Sequence, residues 1–385
     1  MDFELSNGHR ALQEEARTFA VREFRREYAL ECELAGRYPS ELHRKAGERR
    51  LIAVQLPEEY GGRDAGLLGS VLVIEALCRQ DPGLGMALSL CSLGSHLIAK
   101  WGTVEQRRRL LPLVASGQVI TGVAFTEPDY GSDITMVGTT ALRDGNGYVL
   151  NGLKSLISNG QDASAIIVLC RTDPSADPPR RGMSLILVET DRPGFQAVDL
   201  GAKMGLKMTS TSEVSLKDVR VPVEHLVGKE NRGFYHTLEF LDVSRVEVAA
   251  QSLGGAQAAL DRALSHVRSR RQSCRRLADL QITRHKIADM ATKIEAARLL
   301  TYRAAWAHDH HGGDPTLASM AKLFASRVAV EVSEEAIQML GGRGYLLEHE
   351  VERIYRDVRV TEIYEGTREI QKNTIASRLL GQGDR

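Results

Sequence analysis

The feature that most constrains this chain is a double change of texture along it. Up to about residue 120, apolar residues recur at helical spacing, as in Leu5, Leu12, Ala16, Phe19, Ala20 and Phe24, with charges between them. Near Val119 that period breaks, and short apolar runs alternate with turns bearing Gly and Asn. From Gly233 the helical period returns in long segments, at about 233–269, 278–309, 315–340 and 367–380. A chain of 385 residues is long enough for two or three packed units. The expected class is therefore α+β and multidomain: an N-terminal α-helical domain at 1–120, a middle β domain at 121–230 and a C-terminal helix bundle at 231–385.

Local punctuation refines this outline. Turns are expected at 57–62 and 81–85, with an apolar helical face at 67–77 between them. In the middle unit, 137–142 and 148–150 read as a hairpin about Asp144-Gly145-Asn146-Gly147. The runs 165–170 and 183–189 are further strands, and 214–216 with 219–221 close the β region. His308, His310 and His311 fall in what reads as a polar loop at 309–315, a solvated loop rather than a metal site.

Composition excludes several classes. Lys+Arg and Asp+Glu are both 50, so there is no electrostatic footprint for nucleic acid or an anionic membrane. No apolar run approaches the length of a membrane helix, and the polar start lacks a signal-peptide pattern, so a cytoplasmic protein is expected. The five cysteines are scattered without a CxxC pair and read as reduced thiols, and no metal is expected. GxGxxG between a strand and a helix, GxxxxGK[ST], GxSxG and HExxH are all absent.

Three segments carry chemistry. VAFTEPDYGSD (123–133) is a strand ending in a polar turn, whose N–H groups and hydroxyls suit a flavin edge or a pyrophosphate. QMLGGRGY (338–345), followed by Glu348, Arg353 and Asp357, ends a helix in three glycines, more than a C-cap needs. IYEGTREIQ (363–371) places Glu365 just before a helix capped by Thr367. There the helix dipole favours the ionised carboxylate while burial opposes it, as suits a general base.

Together these segments resemble the acyl-CoA dehydrogenases, in particular the short- and medium-chain branch with its glutamate in YEGT. The similarity covers nearly all of the chain, including MDFEL at the start, LPEEYGG (56–62) and 201–222. It implies an N-terminal helical domain, a middle β-barrel and a C-terminal four-helix bundle. It also implies FAD, a homotetramer or homodimer, and α,β-dehydrogenation of an acyl thioester. By the resemblance, Glu365 takes the α-proton while a β-hydride passes to the flavin, and the thioester carbonyl is held by the glutamate's own N–H and a flavin hydroxyl. Another branch carries its base on a helix of the bundle, where this chain has Ser244.

Further roles follow by match. Phe125, Thr126, Ser132, Leu156, Ile157 and Ser158 are expected to line the flavin, with Ser132 also near the ligand. Arg270 and Gln281 match residues that reach the FAD of a neighbouring subunit, and Gln338, Gly341 and Gly342 match contacts to its ADP half. Thr367 and Glu369 match contacts near the adenine half; Asp242 and Arg245 match the helix that meets CoA, and Gly366 lies against the ligand. The chain departs from the pattern at Leu156, commonly a Trp, at Tyr130, commonly small, and at Ser273-Cys274, commonly Phe-Gly. Glu247 shares a helix face with Ser244 and is read as exposed or ion-paired, with a second carboxylate near the acyl pocket as the alternative. The implied partners are an acyl-CoA or an acyl-carrier-protein thioester, and an electron-transferring flavoprotein as acceptor. A flavin monooxygenase or oxidase on the same fold, and a non-catalytic scaffold, are the other classes weighed.

Overall fold

A computed structural model describes residues 4–381, so Met1, Asp2 and Phe3 of the MDFEL stretch lie outside the described residues. The first unit holds seven helices: α1 (Asn7–Glu23), α2 (Arg26–Ala35), α3 (Ser40–Glu48), α4 (Gly66–Gln80), α5 (Pro82–Leu90), α6 (Ser95–Trp101) and α7 (Val104–Ala115). Ser6 caps α1 by accepting the His9 N–H, and the helix buries Leu12, Ala16, Phe19 and Ala20 as their spacing predicts. The turn expected at 81–85 is instead the start of α5. Asp81 accepts the Leu84 N–H as N-cap and Pro82 sits in the first turn, where its missing N–H costs nothing.

Eight strands follow: β1 (Thr121–Ala124), β2 (Thr140–Asp144), β3 (Gly147–Ser158), β4 (Ala165–Arg171), β5 (Met183–Glu189), β6 (Phe195–Asp199), β7 (Thr211–Pro222) and β8 (Leu226–Val227). They form one sheet in the order β6-β7-β3-β2-β4-β5-β8, with β1 parallel beside β4. The expected hairpin is β2–β3, pairing Asp144 with Gly147. β3 runs on to Ser158, and the two short runs near 214–221 are a single strand, β7. The β3–β7 ladder slips between Lys154 and Ile157. At that bulge Leu156 takes φ 58° and its side chain stands 65 % exposed.

The last unit is helical: α8 (Gly233–Ser269), α9 (Gln281–His311), α10 (Pro315–Leu340), α11 (Val351–Val358) and α12 (Arg368–Leu379). Between α8 and α9 a small hairpin, β9 (Arg271–Gln272) with β10 (Arg275–Arg276), turns at Ser273 and Cys274, both at positive φ. Small residues let the helices pack closely. A Cβ on Gly254 of α8 would lie 2.4 Å from the Cys78 side chain of α4, so only glycine allows that crossing. His308, His310 and His311 are not in a loop: they occupy the last turns of α9, where His310 stacks on Trp306. Basic residues suit that helix end, and among the described residues no group of His, Cys, Asp or Glu could hold a metal.

Contacts between the β unit and the bundle include these. The Phe125 ring meets Phe240 of α8 edge-on at 5.8 Å. The Leu206 N–H donates to Asp357 of α11 at 2.6 Å.

Candidate active site

Glu365 lies between α11 and α12 in a backbone conformation that L-residues rarely adopt, φ 52°, followed by Gly366 at φ 93°. Neighbouring side chains hold the segment there. Gln371 donates to the carbonyls of Glu365 (3.1 Å) and Gly366 (2.9 Å), and the Lys322 ammonium of α10 donates to the same Gly366 carbonyl (2.6 Å). Thr367 caps α12 through the Ile370 N–H, as its position predicts.

The Glu365 residue as a whole is half-buried, but its carboxylate turns inward and accepts a 2.6 Å hydrogen bond from Ser244, itself 2 % exposed. Burial pushes the Glu365 carboxyl above its ordinary range, while Ser244, Arg245 and Lys322 pull it back down. Lys322 is driven down to about 8 by burial, against the pull of Glu365. Ser244 thus stands beside the candidate base as its hydrogen-bond donor.

Phe125 and Phe240 connect this carboxylate to the flavin-like edge, since Phe240 lies one turn before Ser244 on α8. The edge is fixed from beneath. Glu127 is 8 % exposed and accepts from the Gly138 and Thr139 N–H groups, the Thr139 hydroxyl and the Lys154 ammonium at 2.6–2.9 Å. Burial alone would raise the Glu127 carboxyl, but Lys154 and the hydrogen bonds outweigh it and hold it low. The Thr126 carbonyl accepts the Ser155 N–H, which brings the polar turn against the β3 bulge.

Several expected flavin residues gather here. Leu156 presents an exposed apolar side chain, with half-buried Thr126 and Ser158 and exposed Ser132 as hydroxyl carriers. None of those three hydroxyls is bonded among the described residues. An apolar face beside free donors fits an isoalloxazine ring with its polar edge, so the residues present suit FAD. Ile157 differs: at 3 % exposure its side chain belongs to the core, and it can offer only backbone. Arg245 is 6 % exposed and bonds Asp242 (3.2 Å) beside the base.

The remaining residues lie elsewhere. Arg270 caps the far end of α8, and the rise of 1.5 Å per residue puts it about 38 Å along the axis from Arg245. Gln281 opens α9 nearby, after Leu277 has bonded the Arg270 carbonyl. Gln338, Gly341 and Gly342 close α10, with Gln338 about 24 Å along that helix from Lys322, and both glycines face open space. Glu369 is exposed on the first turn of α12.

Glu247 corrects the sequence reading. It is neither exposed nor ion-paired: it accepts from Ser70 of α4 at 2.9 Å, and burial raises it to about 7. The roles of Lys154, Lys322 and Gln371 also went unforeseen. The available signal was polarity out of place, such as Lys322 within the small apolar stripe of Ala318, Ala321 and Ala325.

Comparison with known proteins agrees along the whole chain. Models of the acyl-CoA dehydrogenase N-terminal, middle and C-terminal domains match residues 6–118, 122–219 and 231–380. An acyl-CoA dehydrogenase of Bacillus subtilis (strain 168) is 40% identical over 366 residues, 94% of this chain and 96% of that protein. The structure of butyryl-CoA dehydrogenase from Megasphaera elsdenii superposes with a TM-score of 0.94 at 34% identity, covering 99% of this chain and 100% of that one. A glutaryl-CoA dehydrogenase from Mycobacterium smegmatis in complex with FADH2 gives 0.92 at 29% identity, covering 99% and 96%.

Proposed function

The chain belongs to the acyl-CoA dehydrogenase family, and on that footing we propose that Glu365 is the base in its FAD-dependent dehydrogenation of an acyl-CoA to a trans-2-enoyl-CoA. The observation that carries the assignment is the Ser244–Glu365 hydrogen bond at 2.6 Å. It aims the carboxylate, while burial makes that carboxylate more basic than one in water. An α C–H is a very weak acid, so the base needs both help and aim. The Glu365 N–H is unbonded among the described residues and is placed to donate to the thioester carbonyl, stabilising negative charge as the α-proton leaves. Lys322, fixed by the Gly366 carbonyl, adds positive charge behind the base. FAD, when bound, accepts the hydride from Cβ.

Leu156, Thr126, Ser132 and Ser158 are proposed to meet the flavin, with Phe125 packed behind them and Ile157 contributing backbone. Arg270, Gln281, Gln338, Gly341 and Gly342 lie too far along their helices to meet that flavin from the same chain. Their assignment to FAD therefore requires a second copy, and a homotetramer or homodimer is proposed. Thr367 and Glu369 are proposed near the adenine half, Gly366 against the ligand and Asp242 at the CoA entrance. An electron-transferring flavoprotein is proposed as acceptor. The buttressed base argues for dehydrogenation over oxygen chemistry on this fold.

The test is anaerobic. The purified yellow protein is mixed with a panel of acyl-CoAs, and the flavin absorbance is followed in the wild type and in Glu365→Gln. Bleaching in the wild type that is lost in the variant, with acyl-CoA still bound, is expected. Equal bleaching in both would assign the base elsewhere, and a protein that cannot be loaded with FAD would overturn the reading.

A further inference from the structure

We propose that Glu247, with Ser70, forms the far wall of the acyl pocket and selects a short acyl thioester whose chain end carries a hydrogen-bond donor, a hydroxyl or a protonated amine. This rests on the reading of Glu365 as the base.

Ser244 holds the Glu365 carboxylate, and Glu247 lies three residues further along the same face of α8, a rise of about 4.5 Å. An acyl chain laid along α8 from its α-carbon at Glu365 would bring its fourth or fifth carbon to Glu247. The space there is small. A cavity of about 20 Å³, whose lining includes Ile52, Val54, Leu88, Ser70, Ser89 and Glu247, has room for about one water molecule. A long alkyl chain does not fit without rearrangement, whereas one polar terminus does.

The nearby donors are already engaged: Gln251 donates to Ser89 at 2.7 Å, and the Tyr364 hydroxyl donates to the Gln251 carbonyl. Arg245, two residues before Glu247 and so on another side of α8, is turned to Asp242 and Ser319. Glu247 receives only the Ser70 hydroxyl, although a carboxylate offers about four acceptor positions. It makes no ion pair among the described residues. A buried carboxyl left so incompletely bonded is costly to the fold, and a donor brought in by the ligand would complete it. Burial also raises Glu247 to about 7, so a cationic chain end would ionise it and form a buried pair.

The FAD-loaded enzyme is tested by single-turnover flavin reduction with butyryl-CoA, 4-hydroxybutyryl-CoA, 4-aminobutyryl-CoA and succinyl-CoA. Dissociation constants for the same compounds are measured on Glu365→Gln, which binds without turning over. With Glu247 in place, the hydroxyl or amino compound should be favoured over butyryl-CoA by roughly tenfold or more, in wild-type turnover and in Glu365→Gln binding, with succinyl-CoA the poorest. Glu247→Leu should reverse that order. Glu247→Gln separates the two donors, keeping a preference for hydroxyl and losing one for amine. Ser70→Ala, a smaller change, should weaken the preference in the same direction. A wild type that prefers butyryl-CoA, or a preference unmoved in Glu247→Leu, Glu247→Gln and Ser70→Ala, overturns the proposal. If butyryl-CoA still bleaches the wild type and not Glu365→Gln, the base assignment survives that result; if no thioester bleaches the flavin, both fall.

Discussion

The protein buries acids in two places and pairs them differently. Between α5 and α11, Arg353 grips Asp81 with two hydrogen bonds at 2.6 and 3.0 Å, and Glu33 of α2 bonds Arg356 at 2.5 Å. Burial alone would raise Asp81, but Arg353 more than offsets it and the carboxyl is held low. Asp357, beside them, accepts the Leu206 N–H and is pushed up to about 7 by burial. Asp357 thus behaves as the acids around α8 do, where no cation is bonded to either carboxylate among the described residues. Glu365 and Glu247 face hydroxyls, while Arg245 is bonded to Asp242 and Lys322 to a carbonyl, so burial wins and both carboxyls are raised. Full pairing fixes charge and locks helices together; partial pairing leaves charge that a reaction or a ligand can use.

The contrast is broken most severely at the base itself. Glu365→Gln should lower the rate of flavin reduction by about 10³–10⁴-fold in stopped-flow measurements, with thermal stability kept. In the locked cluster the damage should be to the fold. Arg353→Ala strands Asp81 and should cost about 3–5 kcal/mol, read from denaturant unfolding. Glu247 sharpens the comparison by its sign. Its carboxyl is raised in the folded state, so its contribution to stability is fully present below the ordinary value of 4.5 and is lost as pH rises through about 7. Glu247→Gln should therefore stabilise the protein at pH 8 by about 1–3 kcal/mol, with little change at pH 5. A smaller effect is expected at Ser244, where alanine removes one hydrogen bond to the base and should slow flavin reduction about tenfold.

Much of this architecture was legible beforehand because it rests on local periodicity. The boundaries of α8 and α10 follow from where apolar spacing starts and stops, and the β2–β3 hairpin follows from its Gly-Asn turn. The errors came where one residue type serves two ends. Asp81-Pro82 has the composition of a loop and starts a helix; the histidines of 308–311 have the polarity of a loop and finish one. The resemblance located Glu365, and Ser244 was noted only as a position unable to act as a base. That its hydroxyl supports Glu365 depends on a contact spanning 121 residues, which no local pattern contains. The inward turn of Glu247 was hidden for the same reason, because its partner Ser70 belongs to another unit.

The central claim is that the Glu365 carboxylate is poised between burial, which raises it, and Ser244, Arg245 and Lys322, which pull it down. The most direct test is the pH profile of single-turnover flavin reduction by a reactive acyl-CoA in the wild type and in Ser244→Ala. The rate should rise with pH to a plateau, because the base must be ionised, with its inflection above the ordinary carboxylate range. That inflection should move higher still when the Ser244 hydroxyl is removed. An inflection at the ordinary glutamate value, or one that stays in place in Ser244→Ala, would contradict the account.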